Sequence, residues 1–183
     1  MLGPSGSGKS TFLHLAAGLD EPSAGEVRAF GASLNRLDEP ELARYRSRQV
    51  ALVFQRDNLL QLLTAEENVA TSVKLAGARS ARAAAESALS LVGLTDRGSH
   101  RPGALSGGEQ QRTAIAAAAA RTAPLVLADE PTGELDVDNE ARVLAGLRQL
   151  QREKGTTVVT VTHSPALASA ADRVIEIRDG KAV

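Results

Sequence analysis

Residues 3–10 read GPSGSGKS, and Thr11 follows. The stretch matches the pattern G-x-x-x-x-G-K-[ST] of a phosphate-binding P-loop. Its glycines let the backbone approach a polyphosphate closely, and the turn directs several backbone N–H groups inward. We expect the following helix, over about residues 9–18, to add the positive end of its dipole. The predicted phosphate-binding residues are Gly3, Pro4, Ser5, Gly6, Ser7, Gly8, Lys9, Ser10 and Thr11.

Two side chains of this loop carry further chemistry. Lys9 is expected to reach the β- and γ-phosphates of a nucleotide, and the Ser10 hydroxyl to ligate Mg²⁺. A Gly/Ser-rich turn before a helix is the alternative interpretation of the pattern taken alone. The rest of the sequence therefore has to decide between the two.

Composition excludes several classes of protein. The chain has 183 residues, which suits one domain, and no cysteine, which excludes disulfides and thiolate catalysis. Its net charge of −1 and its aromatic content of 2% give no support for a nucleic-acid partner. No apolar run approaches the ~18 residues of a membrane span, and no signal peptide is recognisable, so we expect a cytoplasmic protein.

Strand and helix patterns alternate along the chain. Such alternation predicts an α/β fold with a mostly parallel sheet flanked by helices. The predicted strands cover residues 25–30, 50–54, 125–128, 156–162 and 173–178. The predicted helices cover residues 38–48, 64–76, 80–92, 106–121, 137–153 and 164–171.

Candidate catalytic residues follow three of these strands, where open α/β sheets bind ligands. Asp129 and Glu130 end the strand LVLA, so Asp129 is a candidate Mg²⁺ ligand and Glu130 a candidate base for an attacking water. Gln55 follows VALVF and could touch a metal-bound water. His163 follows TTVVTVT and could bind a γ-phosphate. An exposed acidic turn, a solvated glutamine and a structural histidine are the respective alternatives.

A second helix N-terminus that could bind a phosphate lies in LSGGEQQR, residues 105–112. Ser106, Gly107 and Gly108 open the helix there, and its N-terminus would favour an anion. A nucleotide has one triphosphate, which the P-loop already surrounds. We therefore infer that the second helix start serves a nucleotide held by another subunit, in a head-to-tail dimer with two-fold symmetry.

The ordered set GPSGSGKST, Gln55, LSGGEQQR, LVLADE, ELD (residues 134–136) and His163 resembles the ATPase subunits of ABC transporters. LSGGE is far more specific to that family than the P-loop. The stretches GLDEPSAGEV, FQRDNLLQLLTAEENV and LADEPTGELD resemble the subgroup that serves lipoprotein release, macrolide or peptide export and the cell-division complex. Glu134 stands where that family frequently has Asn.

The resemblance implies a function and a set of partners. The chain would bind ATP with Mg²⁺ and hydrolyse it to power a membrane permease that has a large extracytoplasmic domain. It would lie on the inner face of the cell membrane. Glu130 would be the catalytic base, Asp129 would serve Mg²⁺, and His163 would bind the γ-phosphate. Gln55 would sense both Mg²⁺ and the permease.

The resemblance also implies a second subunit and a division of the chain. Ser106 and Gly108 would contact the γ-phosphate held by the opposing subunit, and Asp136 would act across the dimer interface. Residues 1–57 and 122–183 would form a RecA-like core. Residues 58–121 would form an inserted helical subdomain that carries the LSGGE signature.

The family places one or two strands, and an aromatic residue that stacks on adenine, before the P-loop. Only Met1 and Leu2 precede the loop in this sequence, so we expect the first strands to be missing. A truncated, catalytically inactive ATPase fragment is therefore the alternative to a working transport ATPase. A soluble ABC protein of DNA repair or translation is disfavoured, because no long coiled coil or paired cassette is present.

Overall fold

Helices and strands alternate in the computed structural model, which describes residues 1–78, 80–133 and 135–183, with residues 153 and 154 described by their backbone alone. Glu134, which stands where the family frequently has Asn, lies outside the described residues. The strands are β1 Arg28–Ala29, β2 Ala32–Ser33, β3 Val50–Val53, β4 Leu125–Asp129, β5 Thr157–Val161, β6 Ile177–Arg178 and β7 Lys181–Ala182. The α-helices are α1 Lys9–Ala16, α2 Glu39–Arg48, α3 Ala65–Leu75, α4 Ala81–Leu91, α5 Gly107–Ala120, α6 Val137–Lys154 and α7 Pro165–Ala170.

The central sheet has the strand order β3-β4-β5, and both pairings are parallel. Val53 pairs with Ala128, and Asp129 pairs with Val161, so the three strands end at the same edge. The residues that follow them therefore meet there. This confirms the predicted α/β fold with a parallel sheet.

Met1 and Leu2 lie beside the carboxyl end of β5. The Met1 carbonyl accepts the Thr162 N–H at 3.0 Å, and the Leu2 carbonyl accepts the Ile177 N–H at 2.7 Å. Leu2 also forms a parallel bridge with Glu176. These bonds bring the P-loop to the same sheet edge as the ends of β4 and β5. The expectation that a strand precedes the loop stays a prediction.

The two faces of the sheet are covered by different helices. Successive residues of a strand point to opposite faces, and β4 shows this directly. Leu127 packs with Leu13 of α1, whereas Val126 and Ala128 pack with Ile115 of α5. The helix that begins at the P-loop and the helix that begins at the LSGGE signature therefore lie on opposite faces of one sheet.

Side-chain caps explain where most helices begin. An N-terminal residue accepts a backbone N–H from the first turn in α2, α3, α5, α6 and α7; these residues are Asp38, Thr64, Ser106, Asp136 and Ser164. Such caps satisfy backbone donors that the helix itself leaves unpaired. In α2, α3 and α5 a glutamate three residues on returns the bond, which completes a capping box.

Two predicted strands are wrong in extent. Residues 25–30 contribute only Arg28–Ala29, because Gly25 and Phe30 have φ angles of 88° and 50°, outside the extended region. Residues 173–178 contribute only Ile177–Arg178, which pairs antiparallel with Lys181–Ala182. Asp179 and Gly180 connect that pair with positive φ angles, as a tight hairpin turn requires.

Helices α3, α4 and α5 pack against one another. Most of their buried apolar residues also belong to the same cluster as Val126 and Ala128 of the sheet. The division into residues 1–57 with 122–183 and residues 58–121 stays a prediction. No helix in the described part of the chain combines the length and the apolarity that a membrane crossing needs.

Candidate nucleotide site

The N-terminus of α1 is open toward solvent at the P-loop. Its capping position is Gly8, which has a φ of 95° and offers no side chain to the first-turn N–H groups. Gly6 has a φ of 79°, and a side chain there would meet no atom within 4 Å. Free N–H groups and the positive dipole end together favour an anion at this point.

Lys9 lies folded over the loop. Its Nζ donates to the carbonyl oxygens of Gly3 at 2.9 Å and Pro4 at 2.8 Å, and the residue is only 8% exposed. The two carbonyls hold the ammonium group next to the open helix N-terminus. An incoming phosphate could replace them as the partner of this charge.

Gly3 has a packing reason to be a glycine, besides the expected close approach of a phosphate. A Cβ on Gly3 would lie 2.1 Å from the Ile177 carbonyl oxygen, so the close approach of β6 excludes any side chain. Ser7 is 4% exposed, and its buried Oγ has no hydrogen-bond partner among the described residues. Its carbonyl accepts the Gly180 N–H at 3.0 Å. The hairpin of β6 and β7 therefore packs directly against the P-loop.

Oxygen donors of the kind that Mg²⁺ prefers lie near this loop. Ser10 presents an exposed hydroxyl on the first turn of α1, and Asp129 ends β4, against which α1 packs. Gln55 can add an amide oxygen. Hydroxyl, carboxylate and amide oxygens are hard ligands that fit a magnesium ion bound mainly by phosphates and water.

Glu130 and His163 form a pair at the ends of β4 and β5. The Glu130 Oε1 lies 2.9 Å from His163 Nδ1, and Oε2 accepts the His163 backbone N–H at 3.3 Å. The donor and the acceptor of the side-chain bond depend on the tautomer of the histidine ring. The Glu130 side chain is 16% exposed and that of His163 is 70% exposed. The histidine ring is therefore accessible to a ligand.

The Glu130 backbone is strained. Its φ is 44°, which is rare for a residue with a side chain. Its N–H donates to Val161 at 2.9 Å, and its carbonyl accepts the Gly133 N–H at 3.1 Å. Neighbouring bonds thus hold the strained conformation, as is common for residues at functional sites.

Gln55 follows β3 and is held in place through Phe54. The Phe54 N–H donates to Asn58 Oδ1 at 2.7 Å, and the Phe54 carbonyl accepts Gln111 Nε2 of α5 at 3.1 Å. Gln55 and Glu130 line one cavity of about 290 Å³. The sequence analysis missed Asn58 and Gln111, because polar residues within a loop and a helix carry no signal of their own.

The LSGGE signature begins α5. Ser106 caps the helix, since its Oγ accepts the Glu109 N–H at 3.2 Å while Glu109 accepts the Ser106 N–H at 2.8 Å. Glu109 also pairs with Arg97 at 3.0 Å. The Ser106 backbone N–H, more than any other group, holds the pKa of Glu109 below its usual value. Ser106 and Gly107 are exposed, so this helix start can meet a partner.

Gly108, in contrast, is buried against α6. A Cβ there would lie 2.6 Å from Cγ of Asn139. Asn139 accepts Arg112 Nη1 at 2.7 Å and donates to Asp136 Oδ2 at 2.8 Å. This chain of bonds joins the signature helix to Asp136. The sequence analysis found neither Asn139 nor Arg112, which lie 27 residues apart.

The predicted site residues lie around the starts of two helices, and Gly107 at the second start lines the same cavity as Gln55 and Glu130. One group meets at the carboxyl edge of the sheet and consists of the P-loop, Asp129, Glu130 and His163. Gln55 lines the same cavity as Glu130 of this group. Ser106 and Gly108 begin the helix on the opposite sheet face from α1, and Asp136 is bonded to that second group through Asn139.

The family model described as "ABC transporter" matches residues 1–133. The chain belongs to the ABC transporter family. Its LSGGE signature, P-loop and fold had predicted this membership, which is confirmed. As an ABC ATPase, it is an ATP-binding subunit that hydrolyses ATP to power transport.

Relatives of this ABC ATPase are similar over its whole length. The "Lipoprotein-releasing system ATP-binding protein LolD" of Geobacter metallireducens is 44% identical over 185 residues, covering 100% of this chain and 82% of the relative. The "Macrolide export ATP-binding/permease protein MacB" of Photorhabdus laumondii is 47% identical over 98% of this chain and 28% of its own length. These relatives confirm the predicted resemblance to lipoprotein-release and macrolide-export proteins.

Solved structures agree with the fold of this ABC ATPase. The ATP-binding cassette MJ0796, in a dimeric post-hydrolysis state bound to ADP and Pi, matches with a TM-score of 0.91 at 42% identity. The match covers 99% of this chain and 81% of that one. Together these findings do not favour the alternative of an inactive fragment.

Proposed function

We propose that this ABC ATPase hydrolyses ATP with Mg²⁺, using Glu130 as the base, at the carboxyl edge of its sheet. The observation that carries the proposal is the Glu130–His163 pair, joined at 2.9 Å, at the ends of two adjacent strands. The uncapped N-terminus of α1 lies at the same edge. A carboxylate beside an anion site is the arrangement that activates water against a phosphate.

Each of these residues would have its own role in ATP hydrolysis. The P-loop N–H groups bind the phosphates, and Lys9 exchanges its carbonyl partners for phosphate oxygens. Glu130 accepts a proton as water attacks the γ-phosphorus and the bond to the bridging oxygen breaks. His163 binds the γ-phosphate. Ser10, Asp129 and Gln55 would hold Mg²⁺, which neutralises charge on the phosphates. Most of the catalysis is then positioning and electrostatic stabilisation.

A second subunit would complete the site. Because α1 and α5 lie on opposite faces of the sheet, Ser106 and Gly107 are poorly placed to serve the phosphate at their own P-loop. Two copies arranged head to tail would bring the signature of each to the nucleotide of the other, with Asp136 at the interface. The related MJ0796 cassette is dimeric, which supports this arrangement.

The membrane partner would be a permease with a large extracytoplasmic domain, which would place the ATPase on the inner face of the membrane. Similarity to the LolD and MacB proteins supports this type of partner. Leu60 and Leu62 follow Gln55 closely and are 58% and 81% exposed. Apolar side chains so close to the site offer a surface through which a permease could sense the nucleotide.

Substitution of Glu130 by Gln tests the proposed chemistry. The amide keeps the shape of the side chain and removes the base, so ATP binding should persist while kcat falls by about 10²–10⁴-fold. Lys9→Ala should instead weaken ATP binding itself. Binding of a fluorescent ATP analogue and release of phosphate separate the two effects.

Glu86→Gln provides the matched control, because Glu86 lies exposed on α4, away from the sheet edge. It should hydrolyse ATP at the parent rate. Parent-level turnover by Glu130→Gln would show that another group activates the water.

A further inference from the structure

One carboxylate outside the predicted site connects the loops that carry the catalytic pair. Glu140 lies on the first turns of α6, and its Oε1 accepts hydrogen bonds from two hydroxyl groups. The donors are Ser164 Oγ at 2.5 Å and Thr132 Oγ1 at 3.2 Å. These contacts span 24 and 8 residues of sequence.

Both donors lie within two residues of the catalytic pair in the sequence. Thr132 comes two residues after Glu130, and Ser164 comes directly after His163. Thr132 is 5% exposed. Ser164 is held as well by its N–H bond to Thr162 Oγ1 at 2.9 Å. A shift of Glu140 would therefore be transmitted to both loops.

The loops need such support because of the geometry of Glu130. Its φ of 44° is a conformation that persists only where the surroundings fix it. Bonds to a carboxylate are stronger than bonds between neutral groups. The bonds from Thr132 and Ser164 both end on Glu140 Oε1. They therefore join the loop after β4 to the loop after β5 independently of the Glu130–His163 bond.

We propose that Glu140 is a positioning residue that holds Glu130 and His163 in their mutual geometry. The proposal rests on the proposed function, because it assumes that this pair performs the chemistry. Glu140 acts through Thr132 and Ser164 rather than on ATP. Its removal should therefore impair turnover much more than nucleotide binding.

The test compares Glu140→Ala with the parent protein. Loss of the two bonds should lower kcat by about 10–100-fold, the scale of an ångström-sized displacement at a reacting centre. KM for ATP should change by less than about twofold, because the P-loop is untouched. Glu140→Gln should recover most of the rate, since its amide oxygen accepts both hydroxyl groups. Asp138→Ala is the matched control, because it removes an equal charge from an exposed position of the same helix.

A double-mutant cycle distinguishes positioning from general destabilisation. In a His163→Ala background only Glu130 is left to be positioned, so Glu140→Ala should lower the residual rate by a smaller factor than it does in the parent. An unchanged kcat in Glu140→Ala, or the same fold-loss in both backgrounds, would overturn the proposal. If Glu140→Ala fails to fold, Thr132→Val takes its place, since it removes one donor at constant shape and should lower kcat in the same way.

The outcome separates this inference from the function on which it rests. If Glu130→Gln retained full turnover, the proposed function would fail, and the role of Glu140 with it. If Glu130→Gln lost turnover while Glu140→Ala kept it, only the role of Glu140 would be refuted.

Discussion

Substitution of Gly108 by Ala tests why the signature helix needs a glycine at that position. The added Cβ would lie 2.6 Å from Cγ and 2.7 Å from Oδ1 of Asn139, closer than real Cβ atoms approach. Asn139 would have to move. It would then release Arg112, whose Nη1 it accepts at 2.7 Å, and Arg112 is only 4% exposed.

The magnitude follows from this lost bond. A hydrogen bond to a charged group contributes about 1.5–3 kcal/mol, and the helix propensity of alanine over glycine returns up to about 1 kcal/mol. Gly107→Ala is the matched control, because a Cβ at Gly107 meets no atom within 4 Å. Both variants gain a similar helix propensity, so we expect Gly108→Ala to be less stable than Gly107→Ala by about 1.5–3 kcal/mol, or about 3–12 °C in melting temperature.

Thermal and denaturant unfolding without nucleotide measure this difference apart from any effect on ATP. A second cycle adds Asn139→Ala, which removes the two atoms nearest to the added Cβ and should reduce the cost of Gly108→Ala by more than half. Equal stability of the Gly107 and Gly108 variants would refute the packing argument. It would leave phosphate approach as the only reason for the glycine.

Two further predictions concern association and pH. ATP should drive dimer formation most visibly in Glu130→Gln, because bound ATP then persists and the Ser106 helix start can complete the site of the opposing subunit. Sedimentation with ATP at tens of micromolar protein measures the association. A protein that stays monomeric under these conditions would contradict the shared site. The pKa of Glu109 is lower in the folded protein than in the unfolded chain. Glu109 therefore stabilises the fold at pH values above its pKa in the unfolded chain, and this stabilisation is lost as the pH falls through its pKa in the folded protein. Acid unfolding of the parent should therefore be steeper below about pH 4.5 than that of Glu109→Gln, and identical curves would exclude a stabilising contribution from the Glu109 charge.

Local patterns predicted much of this protein correctly because their physical causes are local. The helix over residues 38–48 was predicted with its first residue, Asp38, now seen as the N-cap. The helix over residues 106–121 was likewise predicted with its first residue, Ser106, now seen as the N-cap. The strand over residues 25–30 was overestimated, because the positive φ angles of Gly25 and Phe30 shorten it.

By itself, then, the sequence determined the P-loop, the order of strands and helices, the family, and the candidate roles of Asp129, Glu130 and His163. Only the tertiary structure decided which groups work together. The contacts of Asn139 with Arg112 and of Glu140 with Ser164 join residues 27 and 24 positions apart. Such pairs depend on how α6 packs against α5 and on where β5 ends. No local periodicity, capping or turn preference encodes that packing, because it results from burial of both faces of one sheet.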